Sequence, residues 1–139
     1  MAKYNVHGGH NPSGKIAEGA ADLISESKED RLVSKAVIKY LKAAGHTAYN
    51  CTCDNGTGQT DVLRKICAKC NAHSVDLDVS IHFNSGRNKH KDDGKMGGFE
   101  VWATNYNGIK KEAAKRIIAN MNKLGISSHG DPYKTTSHL

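Results

Sequence analysis

The sequence predicts an α/β fold with a mostly parallel twisted sheet and helices on both faces. Short strand-like runs alternate with helical stripes in the order β-α-β-α-β, followed by β-α. The run "VDLDVSIHFN" (75–84) alternates and is rich in β-branched residues, which is typical of a strand. The 139 residues suffice for one domain with a core. We therefore expect a single domain over residues 1–139, with helical crossovers between parallel strands.

The first elements are a strand at Tyr4–His7, a long loop over residues 11–25 and a helix. Ser27 and Asp30 resemble a capping box at the start of that helix, and Gly45 is placed to end it. Its predicted buried stripe is apolar and helically spaced: Leu32, Ala36, Val37, Tyr40, Leu41 and Ala44.

The remaining elements continue the alternation. A strand at "HTAYNCT" and a turn at "NGTGQT" precede a helix over residues 59–72. After the strand at 75–84, "GGFEVWAT" predicts another strand. A third helix carries a helical stripe and ends at Gly125; the stripe comprises Ile109, Ala113, Ile117, Met121 and Leu124. The segment after Gly125 shows no period.

The four cysteines form two close pairs with two interpretations. Cys51 and Cys53 are spaced C-x-C, and Cys67 and Cys70 are spaced C-x-x-C, so four thiolates could hold a structural zinc ion. In the other interpretation, Cys67 and Cys70 are small apolar fillers on a buried helical stripe with Leu63 and Ile66.

The charge balance favours an anionic partner. The formal charge is +6 and the pI is near 9.2. The one clustered basic stretch, "RNKHKDDGK" (87–95), is interrupted by aspartates and predicts a solvated loop. No apolar run approaches the length of a membrane span, so no membrane partner is expected. No secretory signal is visible, so we expect synthesis in the cytoplasm and thiols rather than disulfides.

Three polar side chains are predicted to converge at one sheet edge. His10 follows the first strand, His82 lies at the carboxyl end of the third, and Glu26 starts the first helix. Sites in open α/β sheets form at the carboxyl ends of strands. Two imidazoles and a carboxylate are a known catalytic zinc set. Each residue alone also has an ordinary structural explanation, and spacing does not decide between the two.

At these residues the chain resembles the zinc-dependent N-acetylmuramoyl-L-alanine amidases of bacterial cell-wall hydrolases and phage endolysins. The motifs are "VHGGHNPSG", "SESKEDRLVSKAVIKYLKAAGHTAY", "DLDVSIHFNSG" and "GGFEVW". The resemblance implies Zn²⁺ as cofactor, with His10, Glu26 and His82 as its ligands and Asn84 as a substrate-binding residue. Glu29 competes with Glu26, but the distance to Gly45 favours Glu26. His7 stands where the family often has Asp and is interpreted as a supporting residue.

The resemblance also implies an activity and a departure from the family. The activity is hydrolysis of the amide between N-acetylmuramic acid and L-alanine in peptidoglycan, after release of the protein to the cell wall. The family continues beyond "YKTTSHL" with a strand that ends in a catalytic glutamate and then a helix, both of which are missing here. The catalytic residue is therefore unknown, and Glu100 is a poor substitute for it.

Two alternatives remain. One is an inactive fragment that binds zinc and muropeptide. The other is a basic nucleic-acid-binding module with a structural zinc ion on the four cysteines. No recognised nucleic-acid motif is present, so peptidoglycan rather than nucleic acid is the expected partner. The oligomeric state is left open.

Overall fold

The computed structural model describes residues 1–84, 97–128 and 130–137. They fall into two compact units, the first within Met1–Asn88 and the second within Lys89–Leu139. The basic stretch 87–95 lies outside the described residues. The single domain expected over residues 1–139 stays a prediction.

The first unit is a parallel three-stranded sheet. Its strands are β1 (Lys3–Gly8), β2 (Thr47–Asn50) and β3 (Leu77–Ile81), in the order β2-β1-β3. Helices α1 (Glu26–Ala43) and α2 (Gln59–Asn71) make the crossovers. The β1–β3 register runs from Tyr4 opposite Leu77 to Gly8 opposite Ile81, so both strands end at one edge. The predicted α/β class is confirmed.

The two helices lie against opposite faces of β1. A Cβ added to Gly8 would lie 2.5 Å from Asp30 Oδ1 in α1. On the other face, Asn5 Nδ2 donates to the carbonyl of Cys70 in α2 at 3.0 Å and to Asp78 Oδ1 at 2.7 Å. Because side chains alternate between faces along a strand, residues 5 and 8 point to opposite sides.

The predicted start and buried face of α1 are partly wrong. The N-cap is Ser25, with no side-chain capping bond, so Ser27 and Asp30 lie inside the helix rather than forming a capping box. Leu32, Ala36, Tyr40 and Ala44 are exposed, whereas the buried residues are Glu26, Ser27, Asp30 and Ser34. Packing of Asp30 against the bare Gly8 turns this polar face toward the sheet. Gly45 follows the helix with φ 81°, as predicted.

The buried face of α2 also differs from the predicted one. Val62 and Ile66 are buried against Cys53, with Cys70 partly buried beside them. Leu63 is 48% exposed and Cys67 is exposed. The buried stripe therefore runs i, i+4, i+8 from Val62, because Gly56 and Cys53 pack on that side of the helix.

The second unit is a βαβ arrangement of β4 (Val101–Ala103), α3 (Gly108–Lys123) and β5 (Tyr133–Thr135). The strands are parallel, with Trp102 opposite Lys134. The β5 strand lies within "YKTTSHL", a segment in which the sequence pattern predicted no element. A strand of three residues is too short to show a hydrophobic period in the sequence. The Tyr106 hydroxyl helps to hold β5, because it donates to the Lys134 carbonyl at 2.9 Å and accepts from the Lys134 N–H at 3.0 Å.

Among the described residues, no helix combines the length and apolar character that a bilayer crossing requires.

Candidate metal centre

His10, Glu26 and His82, here called the metal trio, come from three segments and meet at the carboxyl edge of the sheet. His10 lies two residues after β1, His82 directly follows β3, and Glu26 is the first residue of α1. The parallel pairing of β1 and β3 brings the two histidines together, and the crossover helix begins at the same edge.

Glu26 lies between the two imidazoles. Its Oε1 atom is 3.2 Å from His10 Nε2 and 3.1 Å from His82 Nδ1. The imidazole centroids are 5.1 Å apart with the rings at 89°. One nitrogen or oxygen from each residue lies within 4.8 Å of the other two, so the trio could hold a metal ion. Exposure rises from 9% for the Glu26 side chain and 14% for His10 to 45% for His82, which leaves the site open on the His82 side.

Backbone amides keep Glu26 ionised. The N–H of Phe83 donates to Oε1 at 3.1 Å, and the N–H of Ala20 donates to Oε2 at 3.0 Å. Burial opposes the charged form, but these two hydrogen bonds, with His82 and His10, outweigh it and lower the Glu26 pKa. An ionised carboxylate is the form that binds a metal ion.

Two glycines leave room for the metal trio. A Cβ at Gly9 would lie 1.8 Å from His82 Cε1, and one at Gly19 would lie 2.6 Å from Glu26 Oε2. Gly19 also has a φ of 78°, a backbone conformation that residues with a side chain rarely adopt. The glycine turn after β1 is therefore needed for the approach of His82, not only for chain reversal.

The loop that joins His10 to Glu26 is fixed by Asn11, which is fully buried. Its Nδ2 donates to the carbonyls of Ile16 (2.8 Å) and Gly56 (2.7 Å), and its Oδ1 accepts the Gly56 N–H at 3.0 Å. Arg31 adds a second tie, because its guanidinium donates to the carbonyls of His10 (2.9 Å) and Cys53 (2.6 Å). The segments after β1 and β2 are thus bound to each other and to α1.

The sequence predicted Asp30 as part of a capping box and did not indicate that its carboxylate is buried near the metal trio. Asp30 is 0% exposed, and its Oδ1 lies 3.6 Å from Arg31 Nη1. Neither carboxylate oxygen has a hydrogen-bond partner among the described residues. Burial, opposed by the charges of Arg31 and His10, raises the pKa of Asp30 to about 6. The available signal was its position four residues after Glu26, on the same helical face.

The other candidate residues of the first unit lie around the trio. Glu29 is partly buried and outside the metal group, which favours Glu26 as expected. His7 Nδ1 is 3.4 Å from Ser80 Oγ, and burial lowers the His7 pKa. Asn84 is exposed two residues after His82, and its substrate-binding role stays a prediction.

Glu100 belongs to the second unit, where its Oε2 accepts a hydrogen bond from Trp102 Nε1 at 2.9 Å. Nothing in this contact assigns it a catalytic role.

The four cysteines do not form a metal site. All four lie within the described residues 1–84, where the metal trio is the one group of three or more ligand side chains that come close enough to hold an ion. They are free thiols, with Cys53 in the apolar core and Cys67 at the surface. The structural-zinc alternative therefore has no support.

Comparison with known proteins covers nearly the whole chain. A family model described as N-acetylmuramoyl-L-alanine amidase matches residues 6–137. The uncharacterized protein CPE1502 of Clostridium perfringens (strain 13 / Type A) is 34% identical over 129 residues, which are 92% of this chain and 36% of the relative. An uncharacterized 38.4 kDa protein of Clostridium perfringens is 34% identical over 137 residues, 99% of this chain and 38% of the relative. The chain thus spans little more than a third of either relative.

Proposed function

Because the chain belongs to the N-acetylmuramoyl-L-alanine amidase family, we propose that it hydrolyses the amide between N-acetylmuramic acid and L-alanine in peptidoglycan, with Zn²⁺ as cofactor. The observation that carries this proposal is the convergence of His10, Glu26 and His82, whose ligand atoms lie within 4.8 Å of one another. Two imidazole nitrogens and one carboxylate oxygen fit the donor set of a catalytic zinc site, which leaves a fourth position open.

The chain's own residues supply binding and orientation. Glu26 is held ionised by the amides of Ala20 and Phe83, so it needs no proton release to act as a ligand. His82 is the exposed member of the trio, and the substrate would approach from its side. When bound, zinc supplies Lewis-acid chemistry, polarising the scissile carbonyl and activating water at neutral pH. The place of action in this proposal is the bacterial cell wall, because the substrate is there.

A second candidate is binding of zinc and muropeptide without turnover. It is favoured by the number of carboxylates at the site. Among the described residues, Glu26 is the one carboxylate in the metal group, and as a metal ligand it would not be free to transfer protons. Amide hydrolysis also needs a group that moves a proton to the leaving amine.

The deciding experiment is end-group analysis of purified peptidoglycan after incubation with the zinc-loaded chain. The proposal expects new amino termini that are L-alanine and that do not appear with His82→Ala. Cys67→Ala is the matched control, because Cys67 is exposed and outside the trio; this variant should release as much L-alanine as the unsubstituted chain.

The alternative outcomes are distinct. New reducing ends, or amino termini other than L-alanine, would contradict the proposed bond. Saturable binding of muropeptide to the zinc-loaded chain, with no L-alanine released above the His82→Ala background, would establish the second candidate instead.

A further inference from the structure

Two buried polar groups, one within the metal trio and one near it, have no hydrogen-bond partner among the described residues. They are Nδ1 of His10 and both carboxylate oxygens of Asp30. Buried polar groups in folded proteins are almost always paired, so each exception calls for an explanation. An imidazole nitrogen that carries hydrogen is a donor and an ionised carboxylate is an acceptor, so these two groups are chemically complementary.

The fold places the two groups in one neighbourhood. Asp30 lies one helical turn after Glu26 on the buried face of α1, and its carboxylate fills the space beside Gly8, two residues before His10. The Nη1 atom of Arg31 lies 2.9 Å from the His10 carbonyl oxygen and 3.6 Å from Asp30 Oδ1. Glu26 faces Nε2 of the His10 ring, so Nδ1 is the nitrogen left for a second carboxylate.

We propose that Asp30 is a positioning residue for the metal trio: it accepts the Nδ1 hydrogen of His10, directly or through one buried water, and thereby presents Nε2 as the ligand. This inference rests on the metal site of the proposed function. Metal-binding histidines generally donate their second ring N–H to a carboxylate, a carbonyl or water, which fixes the tautomer and the ring orientation. Asp30 lies outside the metal group itself, so it acts through His10.

The neighbouring polar residues do not replace Asp30 in this role. Arg31 has only donors, and its Nη2 is engaged by the Cys53 carbonyl and by Asp54 Oδ1 at 2.8 Å. Ser34 lies a further turn along α1 and is also buried, with its hydroxyl unpartnered among the described residues. Its position four residues beyond Asp30 makes it the matched control rather than the acceptor.

The test is the zinc affinity of Asp30→Asn and Asp30→Ala, measured by competition with a chromogenic chelator. We expect both variants to bind zinc ten- to a hundredfold more weakly, the usual cost of losing such an outer partner. Ser34→Ala should stay within about twofold. The nearly isosteric Asp30→Asn keeps the test valid even where Asp30→Ala fails to fold.

A second readout separates positioning from simple structural support. In the zinc-loaded chain, NMR of the His10 imidazole should show an Nδ1–H that exchanges slowly with solvent, and Asp30→Ala should make that exchange fast while Ser34→Ala leaves it slow. Unchanged zinc affinity in both Asp30 variants, or an unchanged His10 Nδ1–H signal in Asp30→Ala, would overturn the proposal. Failure of the unsubstituted chain to bind zinc would instead remove the proposed function itself.

Discussion

The metal trio and the four cysteines are both plausible metal sites in the sequence, but the fold assembles only the trio. The trio is spread over 73 positions and ends with its ligand atoms within 4.8 Å of one another. The cysteines span only 20 positions, yet Cys53 packs into the core with Val62 and Ile66 while Cys67 faces solvent. Proximity in sequence is therefore a poor guide to a shared site, whereas position relative to strand ends is a good one.

The difference has a geometric cause. Parallel strands β1 and β3 must end at the same edge, so residues that follow them are brought together whatever their separation in sequence. Cys67 and Cys70 lie three residues apart on one helix, so their side chains point about 60° apart around its axis. Cys70 packs against the core cluster of Cys53, Val62 and Ile66, whereas Cys67 is exposed.

The largest expected effect is the loss of zinc from His82→Ala. Removal of one of three ligands should take the zinc content after dialysis from one ion per chain to almost none. The double variant Cys67→Ala/Cys70→Ala should keep one ion per chain, because neither thiol belongs to the metal group. Metal analysis of both proteins tests whether the trio, and not the cysteines, holds the ion. One zinc ion per chain in His82→Ala would contradict the assignment of the trio.

The two regions should also differ in the pH dependence of stability. The pKa of Asp30 is raised to about 6 from 3.8, so the folded chain holds this proton more tightly than the unfolded chain. The contribution of the Asp30 carboxyl to the free energy of unfolding is therefore fully present below pH 4 and is lost as pH rises through 6. Because Asn does not ionise, Asp30→Asn removes this loss. Between pH 4 and pH 8 the free energy of unfolding of the metal-free variant should therefore rise by up to about 3 kcal/mol relative to the unsubstituted chain.

Denaturant unfolding with a chelator present measures this gain. Cys70→Ala is the control, because burial raises the pKa of the Cys70 thiol and keeps it neutral across that range. An Asp30→Asn stability difference that does not change with pH would show that the buried carboxylate carries no such cost.

A smaller effect is expected from Gly9→Ala. The added methyl group would lie 1.8 Å from His82 Cε1, so the imidazole must move and zinc affinity should fall at least about tenfold, equivalent to about 1.4 kcal/mol. Gly58→Ala is the matched control, because its Cβ meets no atom within 4 Å and its φ of 170° is extended. Equal zinc affinities for the two variants would mean that Gly9 has no part in placing His82.

The smallest effect is expected in the cysteine region. Cys53→Ala should lose about 1 kcal/mol of unfolding free energy, because Cys53 packs against Val62 and Ile66 in the core. Cys67→Ala should stay within about 0.5 kcal/mol, as surface substitutions usually do. Urea unfolding of the metal-free proteins measures both, and a larger loss in Cys67→Ala would contradict the observed packing.

The sequence indicated the helices, the principal strands and the trio, because these follow from local period, glycine stops and placement at strand ends. It misjudged which faces are buried: Leu32 and Tyr40 are exposed, whereas Asp30 and Ser34 are buried. A prediction from apolar spacing takes the apolar face of a helix as the buried one. In α1, however, the polar side chain of Asp30 packs against β1 at Gly8, which has no side chain.

What the sequence by itself determined is the alternation of strands and helices, together with the position of His10 and His82 after strands and of Glu26 at a helix start, since both follow from local patterns. What only the tertiary structure decided is the contact of Glu26 with both imidazoles, the close approach of His82 to Gly9 and the burial of Asp30 against Gly8. These depend on distances between segments that are far apart in the chain, and such distances are fixed by packing rather than by any local run of residues.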